Sequence, residues 1–439
     1  MTSAISGLAE RLTTLSFDSL AQEAVEAARQ RLFDSLASFA AGAATPDGRL
    51  ARCLLPEMPA TGDLIRYACA ATRSTEIDDI HIESCTTPGS IVAPVAALAA
   101  ADEGVDDRRL LCALVAGYEA MTRLGCAVDG ALKIYQGIWS TYLCAPFAAA
   151  ATGAVLAELD PERTAHSLAI AATRSTGMTG QMGGRSTSRW LMAGCAAHDG
   201  WLAARAAREG MIGDLNILER SFGPSTGTDF KPDVFAAEPD RWRVLDVDTK
   251  PFRTSRQALS ATEAYLSLIG QRRAEDVEAI QAWVPSQVKA MLDHPTLDPN
   301  RLMGGIQFQL AAVTLDRDGL FSADERRPAN ANVEALMSRV RVAEDERLTS
   351  LYPKQWGGRV QVTWRDGTTE SAEVLDPRGS ARKPYGWDEL VAKHTRIAGR
   401  PFWLAKLYEL CRHMGQEPGT STARELVRTV PDIQVGGKA

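Results

Sequence analysis

Cysteine never comes in pairs in this chain. The eight cysteines, at positions 53, 69, 85, 112, 126, 144, 195 and 411, stand singly and without CxxC spacing. That argues against a disulfide framework or a thiolate zinc site and fits the reduced thiols of a cytoplasmic protein. Histidine is scarce, with six in 439 residues, so chemistry near neutral pH has few imidazoles to draw on. No basic excess is present. A net charge of −7 speaks against a nucleic-acid partner, although a small anionic substrate is compatible with it. Long apolar runs are missing too. The most apolar window, "CAPFAAAATGAVLAEL", is Ala-rich with polar flanks and reads as a buried helix, so no membrane association is expected. The start, "MTSAISGLAERL", lacks a basic stretch followed by an apolar one, and no signal peptide is expected.

What is present is helical periodicity. From about residue 5 to 225, apolar residues recur at three- and four-residue steps. "SLAQEAVEAARQRLFDSLASFAAGAA" is an example, with Ser19 as candidate N-cap and Gly42 near its end. Ala and Gly on the apolar faces predict closely packed helices in one bundle. The period then changes. "VEAIQAWVP", "SRVRVAED" and "GRVQVTWRDGTTESAEVL" alternate with period two, Asp366-Gly367 marks a hairpin, and "MGGIQFQLAAVTL" is a helix between the first two strands. Helical pattern returns in "GWDELVAKHTRIAG" and "PFWLAKLYELCRHMG". The expected class is mainly α: a large helical bundle (1–262), an inserted α+β domain (263–392) and a C-terminal helical return (393–439). An insertion of this kind predicts a cleft between domains, a common place for a ligand.

The densest polar cluster is "EIDDIHIESCTTPGS". It sets Glu76, Asp78, Asp79 and Glu83 around His81, the only such grouping in the chain. A carboxylate neighbour can raise the basicity of an imidazole and fix its tautomer, which makes His81, Glu76 and Asp79 acid–base candidates. The alternative is structural, with the aspartates capping a turn or pairing with arginines. No second His or Cys group has ligand spacing, so a metal site is not expected. A cationic group follows: Arg185 and Arg189 in "GGRSTSR", then Lys250, Arg253 and Arg256 in "KPFRTSR". Guanidinium forks suit carboxylate or phosphate and serve poorly as bases. In "GIWSTYLCAPF", Trp139 is a candidate pocket wall, and Tyr142 is either a wall or a proton donor if a cation acts on it. Cys85 and Cys144 read as buried, inert thiols.

Six segments in register resemble the MmgE/PrpD family, which includes 2-methylcitrate dehydratase, cis-aconitate decarboxylase and iminodisuccinate epimerase. They are "EIDDIHIESCTTPGSIVAPVAALAAA", "GYEAMTRLG", "GIWSTYLCAPFAAAAT", "SRWLMAGCAAHDGWLAARAAREG", "KPFRTSRQALSA" and "DPRGSARKPYGWDELVAKHTRIAG". The resemblance implies a helical domain with an inserted α+β domain, a homodimer and an active site in the cleft. The implied chemistry is cofactor-free proton abstraction beside a carboxylate. It also exposes departures. Thr87 and Trp139 stand where the family has histidines, Arg189 where it has a lysine, Met192 and Leu259 at two further histidine positions, and Leu310 at a tyrosine position.

The sequence therefore predicts a divergent, dehydratase-like lyase of a small anionic substrate bearing carboxylate or phosphate, in a specialised biosynthetic setting. Its catalytic candidates are His81, Glu76, Asp79 and Tyr142. Its substrate-binding candidates are Thr87, Trp139, Arg185, Arg189, Lys250, Arg256 and Gln307. Epimerisation of a dicarboxylate-like substrate, or a catalytically silent metabolite-binding role, are the alternatives.

Overall fold

The computed structural model describes residues 3–178, 188–227, 229–237, 241–270, 272–293, 305–321, 331–399 and 401–433. The chain divides into two compact units, one formed by residues up to 247 and again from 387 onward, the other by 248–386.

The first unit is helical. Its main helices are α1 (Ala4–Thr13), α2 (Gln22–Ala43), α3 (Thr61–Ser74), α4 (Gly89–Glu103), α5 (Asp107–Ala127), α6 (Ser140–Leu156), α7 (Pro161–Ala172) and α8 (Ser188–Arg208). The apolar window forms α6, which has no polar face and is buried on all sides between α5 and α8. A helix apolar all round belongs in the centre of a core. α5 is long and apolar enough to cross a bilayer by length alone, but its apolar window is 94% buried inside the protein.

Small residues bring α8 close to two neighbours. A Cβ on Gly194 would lie 2.0 Å from the Arg66 carbonyl oxygen of α3, and one on Gly200 would lie 2.0 Å from that of Pro146 in α6. Neither position has room for a methyl group, which is why the Ala/Gly pattern yields tight crossings. The expected cap at Ser19 is a correction. Ser19 Oγ donates to the Ser16 carbonyl and closes a short turn, and α2 begins at Gln22 without a side-chain cap.

The second unit holds a four-stranded sheet in the order β2-β1-β3-β4, with β1 Val277–Val284, β2 Val340–Glu344, β3 Gly358–Trp364 and β4 Thr369–Val374. β1 and β2 run parallel, so the chain must cross over between them. Helix α10 (Ile306–Leu315) lies in that crossover, while α9 (Arg256–Ile269) packs on β3 and β4. Ile280, Ala282, Val284, Val360, Val362 and Trp364 share a core with Leu259, Tyr265 and Leu310. The β3–β4 hairpin turns where the Asp-Gly pair predicts, with Gly367 at φ +84° and Asp366 accepting from the Thr368 amide.

The architecture is thus the mainly α fold with a smaller α+β region that the periodicity indicates. The junction falls between 247 and 248 rather than at 262–263, because α9 belongs with the sheet it covers. The return begins at α11 (Trp387–Ala398), which packs on α2 in the first unit. It continues through α12 (Phe402–His413), also on α2, and α13 (Ala423–Thr429) on α4.

Candidate functional site

Residues 75–88 connect α3 to α4 and hold most of the polar cluster. Arg73, on the last turn of α3, divides its guanidinium between two carboxylates: Nη1 donates to Asp78 Oδ1 at 2.8 Å and Nη2 to Glu76 Oε2 at 2.9 Å. Its guanidinium carbon lies over two indole rings, with ring centres at 4.8 Å (Trp139) and 5.0 Å (Trp190). Burial works against the charged form, but Asp78 and Glu76 outweigh it and Arg73 stays protonated. Glu76 itself sits at φ +57°, in the left-handed region that a side chain rarely adopts.

The next residues are tied to the framework. Lys393 of α11 donates to the Ile77 carbonyl at 2.8 Å and to Asp34 Oδ1 at 2.7 Å, an oxygen that also meets His394 Nε2 at 2.7 Å. Burial would raise the Asp34 carboxyl, yet the Lys393 charge and the His394 hydrogen bond hold it well below its ordinary value. Asp79 accepts from the Gly89 amide at 2.8 Å and from the Tyr118 hydroxyl at 2.5 Å, so it caps the start of α4. Burial pushes Asp79 up to about 6, against the Arg31 charge and these hydrogen bonds. Only glycine fits at 89, since a Cβ there would come within 2.3 Å of Ser35 Oγ and 2.8 Å of Asp79 Oδ2.

His81 is 2% exposed and inside the loop's own hydrogen bonding. Its main chain pairs with Thr86, its Nδ1 accepts from the Ser84 amide at 3.2 Å, and the same nitrogen lies 2.9 Å from Ser84 Oγ. Burial, with the Arg243 charge adding to it, lowers His81 to about 3. The ring is neutral, its proton assigned to Nε2 by the amide that Nδ1 receives. The carboxylates near it in sequence do not set its basicity; burial does.

Two helix N-termini meet beside this loop. The Thr87 amide donates to Thr141 Oγ1 at 3.1 Å, and the Thr87 hydroxyl lies 3.2 Å from that of Thr141 and 3.1 Å from that of Ser90. Trp139 precedes α6, anchored by its amide to the Gly177 carbonyl at 2.8 Å. Its ring lies 5.0 Å from Tyr142 and 5.7 Å from Trp190. Tyr142 is 4% exposed, and its hydroxyl has no hydrogen-bond partner among the described residues. Burial raises its pKa well above the ordinary value, opposed by the charges of Arg73 and Arg189, so it is a protonated donor. Arg189, in the first turn of α8, lies 4.1 Å over the Trp190 ring, and its Nε is buried without a partner among the described residues.

The first unit therefore brings Glu76, Trp139, Tyr142 and Arg189 into one cluster, and adds Arg73 and Trp190, which sequence reasoning missed. The i,i+3 spacing of Arg73 and Glu76 at a helix end was the available signal. His81, Asp79 and Thr87 lie along the same loop with their polar atoms engaged in holding it. Arg185 lies outside the described residues. Lys250, Arg256 and Gln307 belong to the second unit. There Arg256 Nε donates to Asp248 Oδ2 at 2.7 Å, and Asp248 Oδ1 accepts from the Ala381 amide at 2.8 Å. Gln307 donates to Asp293 at 2.5 Å, and Lys250 is buried. Cys85 and Cys144 are buried, and burial pushes the Cys144 thiol well up, away from the thiolate. Among the described residues, no group of three or more His, Cys, Asp or Glu side chains is placed to hold a metal ion.

A helical unit rejoined by its own C-terminus across an α+β segment, with an arginine–carboxylate–aromatic cluster at the ends of its helices, defines the class. The chain belongs to the MmgE/PrpD family. The family's N-terminal domain model matches residues 6–230 and its C-terminal domain model residues 252–403. The family includes dehydratases and decarboxylases. The chain is similar to the cis-aconitate decarboxylase-like protein oryM of Aspergillus oryzae (strain ATCC 42149 / RIB 40). They are 29% identical over 158 residues, a stretch covering 34% of this chain and 33% of that relative.

Proposed function

We propose that the protein is a cofactor-independent lyase that removes a proton next to a carboxylate of a small anionic substrate and then expels a leaving group from the neighbouring carbon. The observation that carries this reading is the Tyr142 hydroxyl: buried, protonated, without a partner among the described residues, and in the field of two guanidinium groups. A donor in that condition lacks an acceptor, and an oxygen that gains charge during reaction supplies one.

Arg189 neutralises the substrate carboxylate, and the fork geometry of guanidinium suits that task. The Glu76 carboxylate takes the proton from the adjacent carbon. The electron pair of that bond moves toward the carboxylate, whose growing negative charge Tyr142 and Arg189 hold. The pair then forms the new double bond as the leaving group departs, and the proton on Glu76 leaves with a departing hydroxyl as water. His81 and Asp79 act on this scheme only by shaping the loop. A neutral imidazole of depressed basicity is a poor base at neutral pH.

The test is solvent exchange. In deuterium oxide, proton NMR follows exchange and consumption of a panel of 2-substituted succinates and cis-aconitate, the last chosen for the relative's name. Exchange by the wild type that is lost in Glu76→Gln is the expected result. A folded wild type that neither exchanges nor consumes any of the panel overturns the proposal. Binding without exchange, seen by calorimetry, identifies the silent metabolite-binding alternative, and exchange with inversion but no elimination identifies an epimerase.

A further inference from the structure

Arg73 does more than balance charge. Two of its nitrogens reach two carboxylates on different residues, Glu76 and Asp78, while its guanidinium carbon packs over two adjoining indoles, at 4.8 Å (Trp139) and 5.0 Å (Trp190), that are at most 5% exposed. Only a planar cation with separate donor directions meets all four partners together. An ammonium on a flexible stem offers the charge without the plane or the fork. The carboxylate it grips at Oε2 sits on a backbone at φ +57°, a conformation that persists only where surrounding contacts over-determine it. One residue further on, Lys393 fixes the Ile77 carbonyl at 2.8 Å. The Glu76 side chain is thereby held by the end of α3, and the peptide after Ile77 by the C-terminal return.

We infer that Arg73 is a positioning residue for Glu76, acting through that carboxylate and itself packed into the corner between Trp139 and Trp190. This rests on the proposed role of Glu76 as the group that takes the proton. The fork fixes the direction of the carboxylate, and the corner formed by the two indoles fixes the fork. Trp139, standing where the family has a histidine, thus contributes orientation where the family has a titrating group.

The test compares Arg73→Lys with the wild type in the same deuterium-exchange assay, using whichever panel compound the wild type turns over. Misplacing a reacting group by about an ångström costs about 10²-fold in rate. The expected result is a fall in kcat of that order with KM changed by less than about threefold, because the charge near the site is kept. In Arg73→Ala, added guanidinium chloride at millimolar concentration restores part of kcat, and ammonium chloride does not. Should Arg73→Lys fail to fold, Trp190→Leu removes one of the two indoles while leaving both ion pairs, and a kcat loss with KM preserved is again expected. Normal kcat in a folded Arg73→Lys, or a loss confined to KM, overturns the positioning role and leaves the lyase reading standing. A wild type without any exchange overturns both.

Discussion

Replacing His81 by asparagine removes a titrating ring while keeping an acceptor where Nδ1 receives the Ser84 amide. In the folded chain the ring titrates at about 3, against 6.5 for an ordinary histidine. A histidine whose folded pKa is depressed contributes its stability above the unfolded value and loses it as pH falls from 6.5 toward 3. At pH 5 the unfolded state gains RT ln(1 + 10^1.5), about 2 kcal/mol, from protonating this ring, while the folded state gains almost nothing. At pH 7 the same quantity is about 0.2 kcal/mol. Wild type should therefore lose about 2 kcal/mol between pH 7 and 5 from His81 alone.

Asp79 works in the opposite direction. Its carboxyl is raised from 3.8 to about 6, so the folded state takes up a proton first and recovers about 1 kcal/mol over the same interval. The bare pH profile of the wild type mixes the two, and the comparison with His81→Asn separates them. Urea unfolding at pH 7 and pH 5, read by pulsed hydrogen exchange on peptides covering residues 75–103, confines the measurement to the first unit. The expected outcome is that the gap between wild type and variant narrows by about 2 kcal/mol on going to pH 5. Equal pH dependence in the two proteins refutes the buried, neutral ring. A turnover in His81→Asn that survives while Glu76→Gln is dead assigns His81 a structural role and supports Glu76 as the proposed proton-moving carboxylate.

Two further substitutions probe other parts of the molecule. Tyr142→Phe deletes a hydroxyl that has no partner among the described residues, so thermal stability should hold or rise slightly, while kcat falls about 10²-fold because one donor to the developing charge is gone; a normal kcat removes Tyr142 from the proposed mechanism. Asp248→Ala strands the buried Arg256 guanidinium and the Ala381 amide in the second unit. It should cost about 3–5 kcal/mol of that unit's stability in denaturant unfolding, and a loss under 1 kcal/mol contradicts a buried pair.

The features legible in the sequence are those whose causes are local. An Ala-rich run without a polar face can only become a central helix, and α6 is one. An Asp-Gly pair between alternating strands makes a hairpin because glycine accepts positive φ. The cap expected at Ser19 was equally local in its reasoning, but the hydroxyl found a nearer carbonyl at Ser16. Domain limits were less legible because α9 looks like any other amphipathic helix, and only the sheet beneath it decides its allegiance.

Titration was the hardest property to read, for a physical reason. In the sequence, His81 is surrounded by carboxylates, and proximity alone argues for a raised basicity. In the fold, desolvation reverses the sign, and the charge that adds to it is that of Arg243, from a distant segment. The same distance hides Asp34, Lys393 and His394, which join the second helix to the C-terminal return. Arg73 was nearer to hand, three residues before Glu76, yet its meaning depends on Trp139 and Trp190, which arrive from α6 and α8. Charge spacing along a chain identifies which groups can meet. Whether a group that meets them is a base, a donor or a strut depends on how much water the fold leaves around it. At this cluster the fold leaves a phenol without an acceptor among the described residues and an imidazole of depressed basicity, and this is why we propose the carboxylate that the arginine holds as the group that moves the proton.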